Sequence, residues 1–326
     1  MRRLTIATAR YDRTAPLHDG RVRPEGLDIN WLPLNVEQIF WRQFRHLEFD
    51  ASELSLSALL IRRGRGVDDL VPIPVFLSRT FRHSAIYVRA GSGIERPEDL
   101  VGRRVGVPEF QMTAAVWVRG ILEDEYGVRQ EDLHWFQGGL EQPGRQPQEP
   151  VAPPDTTIEN LGPGKTLARM LEEGELDALL SPRTPSNYRP DGPVRRMFED
   201  FWVAEREWYE KRRVFPIMHT VAIKRSILDE DPWIAQTLAN AFGAAKRLAD
   251  ADLRETTALP IGLPFLVQHY TETVRLMGED FWPYGVDVNR PTIETLIRYL
   301  HRQGLIPEAP AVDDLFPAST RIVSRV

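Results

Sequence analysis

Cysteine is absent from this chain of 326 residues. Its absence excludes disulfides, thiolate metal sites and a cysteine nucleophile, and it is compatible with either redox compartment. An excess of positive charge is also lacking, because the formal net charge is −6 and acidic and basic residues are interspersed. Nucleic acids bind to concentrated basic surfaces, so we expect no nucleic-acid partner.

Long hydrophobic runs are missing as well. No segment reaches the roughly 18 uninterrupted apolar residues of a membrane-spanning helix. Near the N-terminus, the run from Leu4 to Ala9 is shorter than the roughly 7 to 15 apolar residues of a secretory signal, and charged residues follow it at once. We therefore interpret this run as a first β-strand, and we expect a cytoplasmic protein with no membrane partner.

The chain alternates between strand-like and helix-like segments, which predicts an α/β fold with largely parallel sheets. A chain of this length usually forms more than one hydrophobic core, so we expect two lobes. Residues 138–164 are rich in proline, glutamine and glycine and interrupt the alternation. We predict that they form an excursion, which is either a mobile lid or an arm that contacts another subunit.

Two pairs of similar segments recur along the sequence. "LEFDASELS" is echoed by "GELDALLSP", and "RHSAIYVR" is echoed by "MHTVAIKR". In the second pair, His83 and His219 are each followed by Ser or Thr and then by a short apolar run that ends in a cation. Such matching offsets suggest two lobes of similar design.

The second pair also suggests where the lobes divide. If "AIYVR" and "VAIKR" are the two segments where the chain passes between lobes, lobe one consists of residues 1–88 plus 221–326. Lobe two then consists of residues 89–220 and is inserted into lobe one.

Four segments carry a resemblance to a known family: "FWRQ…EFDASELSLSALL", "FRHSAIYVRAGSGIERPEDLVGRRVGVPEFQMTAAVWVRGIL", "GELDALLSPR" and "FPIMHTVAIKRSI". In this order and spacing, as far as about Leu228, they resemble the 4,5-dihydroxyphthalate decarboxylase family. The resemblance implies a type II periplasmic-binding-protein-like fold, with two α/β lobes, a two-strand hinge and a ligand cleft between the lobes. Two positions depart from the family pattern, since Thr220 stands where Gly is common and Met112 where a second Gln is common.

The resemblance implies a carboxy-lyase that decarboxylates a dihydroxylated aromatic diacid, specifically 4,5-dihydroxyphthalate to protocatechuate, in aromatic-compound degradation such as phthalate catabolism. It implies a small aromatic carboxylate as the substrate and no cofactor. One alternative is a solute-binding protein for a small aromatic or carboxylate ligand, and another is a different cytosolic enzyme on the same fold. The excursion and several exposed aromatic residues favour a homo-oligomer.

Polar residues at strand ends are the candidates for substrate binding, because ligands of open α/β sheets lie beyond the carboxyl ends of the strands. Gln111 and Thr113 stand at a predicted helix start, where free N–H groups favour an anion. The remaining candidates are hydroxyls, one carboxylate and possible guanidinium clamps for a substrate carboxylate: Ser55, Ser57, Glu53, Arg82, Arg183 and Arg10. Helix capping by the hydroxyls and solvated cations are the alternative interpretations.

The two histidines of the repeated motif are the candidates for catalysis. Loss of CO2 from an aromatic ring requires a proton at the ring carbon, and histidine can donate or accept protons near neutral pH. We expect both side chains to project into the cleft, with His219 as the proton donor and His83 as the base or hydrogen-bond partner of the hydroxyls, although the two roles could be exchanged. In another interpretation, His83, His219 and Glu53 converge on a divalent metal.

Overall fold

A computed structural model describes residues 1–147 and 149–320 of the chain. Eleven strands lie in these residues: β1 Arg2–Thr8, β2 Leu27–Pro33, β3 Ala51–Ser55, β4 Leu70–Arg79, β5 Ile86–Arg89, β6 Arg104–Val107, β7 His134–Gln137, β8 Ile158–Asn160, β9 Ala178–Leu180, β10 Val194–Arg196 and β11 Ile217–Lys224. They form two sheets, with the orders β2-β1-β3-β11-β4 and β10-β5-β9-β6-β7-β8. The alternation of strands and helices thus gives the predicted α/β class, with one sheet in each lobe.

The same described residues contain ten α-helices: α1 Ala15–His18, α2 Val36–His46, α3 Leu56–Gly64, α4 Thr113–Tyr126, α5 Leu167–Glu173, α6 Phe201–Arg212, α7 Arg225–Glu230, α8 Trp233–Arg254, α9 Leu266–Met277 and α10 Arg290–Arg302. Within the described residues, none of the helices is long and apolar enough to cross a membrane.

Both sheets mix parallel and antiparallel pairs. In the first sheet, β1 runs parallel to β2 and β3, whereas β11 runs antiparallel to β3 and β4. In the second sheet, β6 runs parallel to β7 and β9, whereas β5 runs antiparallel to β9 and β10. The antiparallel strands are those next to the passages between the lobes.

The chain leaves the first sheet after Arg79, enters the second at Ile86, and returns to the first at Ile217. Because Arg79 and Ile217 are paired in the β4–β11 ladder, both connections leave the first sheet at the same place. Each connection is a loop or helix between complete strands, since β5 pairs only within the second sheet and β11 only within the first. The sheet boundaries therefore lie a few residues from the expected lobe boundaries at 88 and 221, and the division into lobes stays a prediction.

Helix α2 illustrates how local sequence places side chains at the cleft. Asn35 caps the helix by accepting a hydrogen bond from the N–H of Glu37 at 2.9 Å. The apolar face of α2 is buried, and the helix ends at Leu47, which has the left-handed φ of 46°. This capping fixes the first turn of α2, from which Glu37 forms an ion pair with Arg145 of the excursion at 3.0 Å.

The largest hydrophobic core contains residues from both lobes, among them Leu60 of α3 and Trp117 of α4. Helices α4 and α10 lie very close at Gly120, where a Cβ atom would be only 2.2 Å from the ring of Tyr299. In the excursion, Glu149 forms an ion pair with Arg62 of α3 at 2.8 Å. The lobes are thus joined by packed helices and by ion pairs as well as by the two connections.

Candidate active site

A cavity of about 350 Å³ lies between the lobes. Its wall is built from strand ends and helix starts of both sheets, as the strand-end argument predicts. The lining residues are Tyr11, Val36, Glu37, Phe40, Ser55, Ala58, Ser78, Thr80, Arg82, Glu109, Gln111, Met112, Thr113, Ala114, Arg145, Pro182, Arg183, Met218 and His219. Six of the predicted site residues are on this wall: Arg82, Ser55, Gln111, Thr113, Arg183 and His219.

His219 lies on β11 and contacts Glu53 on the neighbouring strand β3. Its Nδ1 is 2.7 Å from Oε1 of Glu53. The same oxygen accepts a hydrogen bond from the hydroxyl of Tyr11 at 2.6 Å, and Oε2 accepts one from the N–H of Ala9 at 2.9 Å. The carboxylate thereby fixes the orientation of the imidazole and leaves Nε2 available to a ligand.

The charge state of Glu53 follows from these contacts. Its side chain is completely buried, and burial on its own raises a carboxyl pKa. The hydrogen bonds and charge of His219, together with the donors Tyr11 and Ala9, outweigh burial and hold the pKa of Glu53 below its ordinary value. Glu53 is therefore an ionised acceptor for the imidazole N–H. The ring of Phe40 makes a T-shaped contact with the imidazole of His219, at 4.9 Å between centroids.

Arg82 supplies a buried positive charge to the same cavity. It is only 8% exposed, and burial lowers its pKa to about 10, so it remains protonated at neutral pH. Its Nε contacts the sulfur of Met218 at 3.2 Å. The charge of Glu205 acts on Arg82 from a distance, but in the part of the chain that the structure describes no carboxylate forms a direct ion pair with it. A buried cation without an ion pair is costly, and an anionic ligand would compensate it.

Helices α3 and α4 both begin at the cavity, but their first turns differ. At α3, the side chain of Ser55 caps the helix. The hydroxyls of Ser55, Ser57 and Thr113 are hydrogen-bonded to one another, since Ser55 Oγ and Ser57 Oγ each lie 2.9 Å from Thr113 Oγ1. At α4, the N-cap residue Met112 provides no side-chain hydrogen bond. The uncapped N–H groups of α4 therefore favour an anion more than those of α3.

Gln111 and Ser57 are both buried but have different surroundings. Gln111 donates from Nε2 to Glu109 at 2.7 Å, and its Oε1 is buried without a hydrogen-bond partner. Ser57 is fully buried, donates to the carbonyl of Gln111 at 2.7 Å, and does not line the cavity. For Ser57 the capping and packing interpretation fits the structure better than ligand contact.

Several residues of the cavity wall were not predicted from the sequence. Arg145, in the excursion, forms ion pairs with Glu109 at 2.6 Å and with Glu37 at 3.0 Å, and Arg183 lies 3.4 Å from Glu37. Tyr11 follows β1 in the loop "ARYDRT", next to Arg10, which is the residue of this loop predicted to bind substrate. Arg10 is exposed and is not on the cavity wall. The loop carried the signal, whereas the choice of residue within it required the structure.

The expectation that both histidines project into the cleft is wrong for His83. His83 is 2% exposed and packs edge-on against Phe198 and Trp208, at 5.2 and 5.9 Å between centroids. Its Nδ1 is buried without a hydrogen-bond partner, and burial lowers the pKa of His83 to about 4. The cause is backbone position, because His83 begins a 3-10 turn before β5, whereas His219 lies inside β11.

The metal interpretation needs correction for the same reason. Glu53 and His219 are adjacent, but His83 lies in the aromatic cluster. Across residues 1–147 and 149–320, no group of three or more His, Cys, Asp or Glu side chains could hold a metal ion. The predicted two-histidine, one-carboxylate set does not assemble.

Comparison with known proteins identifies relatives of the chain. No family model matches it. A 4,5-dihydroxyphthalate decarboxylase of Comamonas testosteroni is 41% identical over 319 residues, which cover 97% of each chain. The chain belongs to the 4,5-dihydroxyphthalate decarboxylase family. A second 4,5-dihydroxyphthalate decarboxylase, of Pseudomonas putida, is 42% identical over 63% of this chain and 81% of its own. The resemblance noted in the sequence is thereby confirmed.

Solved structures confirm the fold of this decarboxylase family member. The periplasmic aliphatic sulphonate binding protein SsuA of Escherichia coli covers all of this chain and 95% of its own, with a TM-score of 0.53 and 14% identity. The SsuA of Xanthomonas axonopodis pv. citri bound to MOPS covers 97% of this chain and 98% of its own, with a TM-score of 0.53 and 15% identity. At this identity the similarity shows the periplasmic-binding-protein fold alone.

Proposed function

We propose that the chain is a cofactor-independent carboxy-lyase that converts 4,5-dihydroxyphthalate to protocatechuate and CO2. The observation that carries this proposal is the presence of two complementary groups in one cavity. His219, oriented by Glu53, can donate a proton, and Arg82, a buried cation without an ion pair, can hold a carboxylate. The family relationship over 97% of the chain supports the choice of substrate.

Protonation of the ring is the step that needs the enzyme. A bare aryl anion is too unstable to be left by CO2, so the carbon that bears the carboxylate must first receive a proton. The hydroxyl para to that carbon donates electron density as its own proton moves to a hydrogen-bond acceptor, and a dienone-like intermediate forms. The C–C bond then breaks, its electron pair restores aromaticity, and the phenolic proton returns. One proton is consumed for each CO2 released.

His219 suits the role of proton donor in this scheme. As an imidazolium it holds one proton on Nδ1 against Glu53 and presents the other on Nε2. Donation of the Nε2 proton to the substrate ring leaves a neutral imidazole that is still hydrogen-bonded to Glu53. The imidazole therefore stays in place and can take up another proton for the next turnover. A positioned proton donor contributes roughly 10²- to 10⁴-fold to such a step.

The second substrate carboxylate, which stays on the product, needs an anion site. Arg82 and the uncapped start of α4 offer a guanidinium and free backbone N–H groups on the cavity wall. Ser55, Gln111, Thr113 and Arg183 also line the wall, as hydrogen-bonding groups that orient the ring. Arg10, Ser57 and His83 are not on the wall, and we assign them no contact with substrate.

The proposal also covers the location, metal dependence, lobe closure and assembly of the enzyme. They comprise a cytoplasmic location, action without a divalent metal, two lobes that close on the substrate, and assembly as a homo-oligomer.

Incubation of the purified protein with 4,5-dihydroxyphthalate tests the reaction. We expect stoichiometric CO2 and protocatechuate, at the same rate with and without a chelator. Phthalate, which lacks the electron-donating hydroxyls, is the matched control, and we expect it to bind without loss of CO2. If saturating 4,5-dihydroxyphthalate binds and no CO2 is released, with or without added divalent metal, the decarboxylase proposal fails and a solute-binding role replaces it.

A further inference from the structure

Tyr11 is the cavity residue most closely tied to the histidine–carboxylate pair. Its hydroxyl donates to Oε1 of Glu53 at 2.6 Å, and Nδ1 of His219 is 2.7 Å from that same oxygen. Burial, and then the charge of Glu53, raises the pKa of Tyr11. The phenol therefore keeps its proton and acts as a donor to the carboxylate throughout the neutral range.

The ring of Tyr11 is held in a fixed position. The guanidinium of Arg13 lies 4.2 Å from the ring centroid of Tyr11 and 4.2 Å from that of Trp282, so it is sandwiched between them. The N–H of Tyr11 donates to Thr14 Oγ1 at 3.0 Å, and the Nε of Arg13 donates to the carbonyl of Leu77 at 3.0 Å. The ring contact with Arg13 and the backbone hydrogen bond to Thr14 restrain Tyr11, and a restrained side chain can hold Glu53 in place.

We propose that Tyr11 is a positioning residue. It holds Glu53 in place, and its hydroxyl and the imidazole of His219 both donate to the same negatively charged oxygen of Glu53. This inference rests on the proposed function, in which His219 is the proton donor. Two donors compete for one carboxylate oxygen, so the bond from Tyr11 weakens the hold of Glu53 on the imidazole proton. The imidazolium becomes a stronger acid, which is what donation to a carbon atom requires.

Other charged groups line the same cavity as His219 and must be kept constant in a test. From the second lobe and the connection these are Arg82, Glu109, Arg145 and Arg183, and from α2 it is Glu37, all on the wall of the same cavity. On the first sheet, Glu53 is the charged group that contacts His219. Among these charged groups, Glu53 is the hydrogen-bond partner of the Tyr11 hydroxyl. The uncharged Ser78 is a second partner, so Tyr11→Phe removes no charged group from the cavity.

The test compares Tyr11→Phe with Glu53→Gln by NMR titration of the free protein, with the His219 signal assigned by its loss in His219→Gln. We expect Tyr11→Phe and Glu53→Gln to move the pH midpoint of the His219 signal in opposite directions, upward in the first variant and downward in the second. In turnover, Tyr11→Phe should reduce kcat roughly tenfold with KM nearly unchanged, since misplacement of a catalytic group costs rate. Tyr188→Phe is the matched control, because Tyr188 packs on Tyr87 outside the cavity, and it should leave both readouts unchanged.

The result that overturns the inference is a His219 midpoint in Tyr11→Phe that stays at the wild-type value or moves in the same direction as in Glu53→Gln. A raised KM with an unchanged kcat overturns it as well, because Tyr11 would then contact substrate. The NMR arm needs no turnover. Absence of CO2 release by the wild-type protein would therefore refute the proposed function and leave the coupling of Tyr11 to His219 to be decided separately.

Discussion

The segments around His83 and His219 have nearly the same sequence and occupy different environments. The first, "RHSAIYVR", passes from a 3-10 turn into β5, and its histidine is packed between Phe198 and Trp208. The second, "MHTVAIKR", lies within β11, and its histidine meets Glu53 across the β3–β11 ladder. Next to His219 the neighbouring strand supplies a carboxylate, whereas aromatic side chains surround His83.

The two segments nevertheless both serve the cavity. In the first, Arg82 lines the wall and the adjacent His83 is buried behind it, whereas in the second His219 itself lines the wall. The difference teaches that a repeated motif can contribute different positions to one site. We propose that the first segment binds the substrate and the second transfers the proton.

Substitution of the two histidines should give the largest difference. His219→Ala removes the proposed proton donor, and we expect kcat to fall roughly 10²- to 10⁴-fold while the Kd for phthalate changes little. His83→Leu exchanges a buried imidazole with an unpaired Nδ1 for an apolar side chain of similar size. We expect kcat within about threefold of wild type for this variant, because the imidazole does not reach the cavity.

Steady-state kinetics with 4,5-dihydroxyphthalate and calorimetric binding of phthalate measure both quantities. A loss of kcat in His83→Leu comparable to that in His219→Ala would contradict the assignment. It would restore the two-histidine mechanism that the sequence suggests.

Arg82 offers the next largest effect, on binding rather than on turnover. In Arg82→Gln we expect the Kd for phthalate to rise roughly 100-fold, because a buried charge-assisted pair with the carboxylate is lost. The free protein should lose little stability, since burial of the cation is itself costly and the charge of Glu205 acts on it without a direct ion pair. Arg183→Gln is the matched control. Its side chain is 58% exposed and pairs with Glu37 at 3.4 Å, and exposed pairs contribute little, so Kd should change only a few-fold. Equal effects of both substitutions would show that Arg82 is not the specific anion site.

Much of the fold and part of the site could be predicted from the sequence. The alternation of segments predicts the α/β class, and strand ends followed by polar residues predict the loops of the cavity wall, including those of Ser55, Gln111 and Thr113. Local patterns succeed there because strand and helix periodicity is itself local.

Contacts between distant segments account for what the sequence did not predict. The bond between Tyr11 and Glu53 joins residues 42 positions apart, and the ion pair of Arg145 with Glu37 joins residues 108 apart. The environment of His83 depends on Phe198 and Trp208, far along the chain. Similarity to the segment of His219 therefore gave no information about which histidine would have a carboxylate neighbour.

Acid sensitivity should separate the two histidine regions most finely. Burial lowers the pKa of His83 from 6.5 to about 4, so between these values the unfolded chain binds a proton that the folded protein does not. The neutral, buried His83 therefore imposes no proton-linked loss of stability at neutral pH, and the free energy of unfolding falls as pH falls from 6.5 towards 4. By proton linkage, the free energy of unfolding should decrease by about 2 kcal/mol between pH 7 and pH 5 on account of this residue.

Urea denaturation of wild type and His83→Leu at the two pH values measures this contribution. The variant has no such proton to take up, so its stability should fall by about 2 kcal/mol less than that of wild type. Glu53 affects stability in a more acidic range than His83. Its pKa lies below the ordinary value of 4.5, so its stabilising effect is lost only as pH falls below that value. A comparison that stops at pH 5 thus reports on the buried histidine and leaves the His219–Glu53 pair intact. Equal losses in the two proteins would mean that His83 is hydrated and accepts a proton in the folded state, and its aromatic surroundings would then have to open in acid.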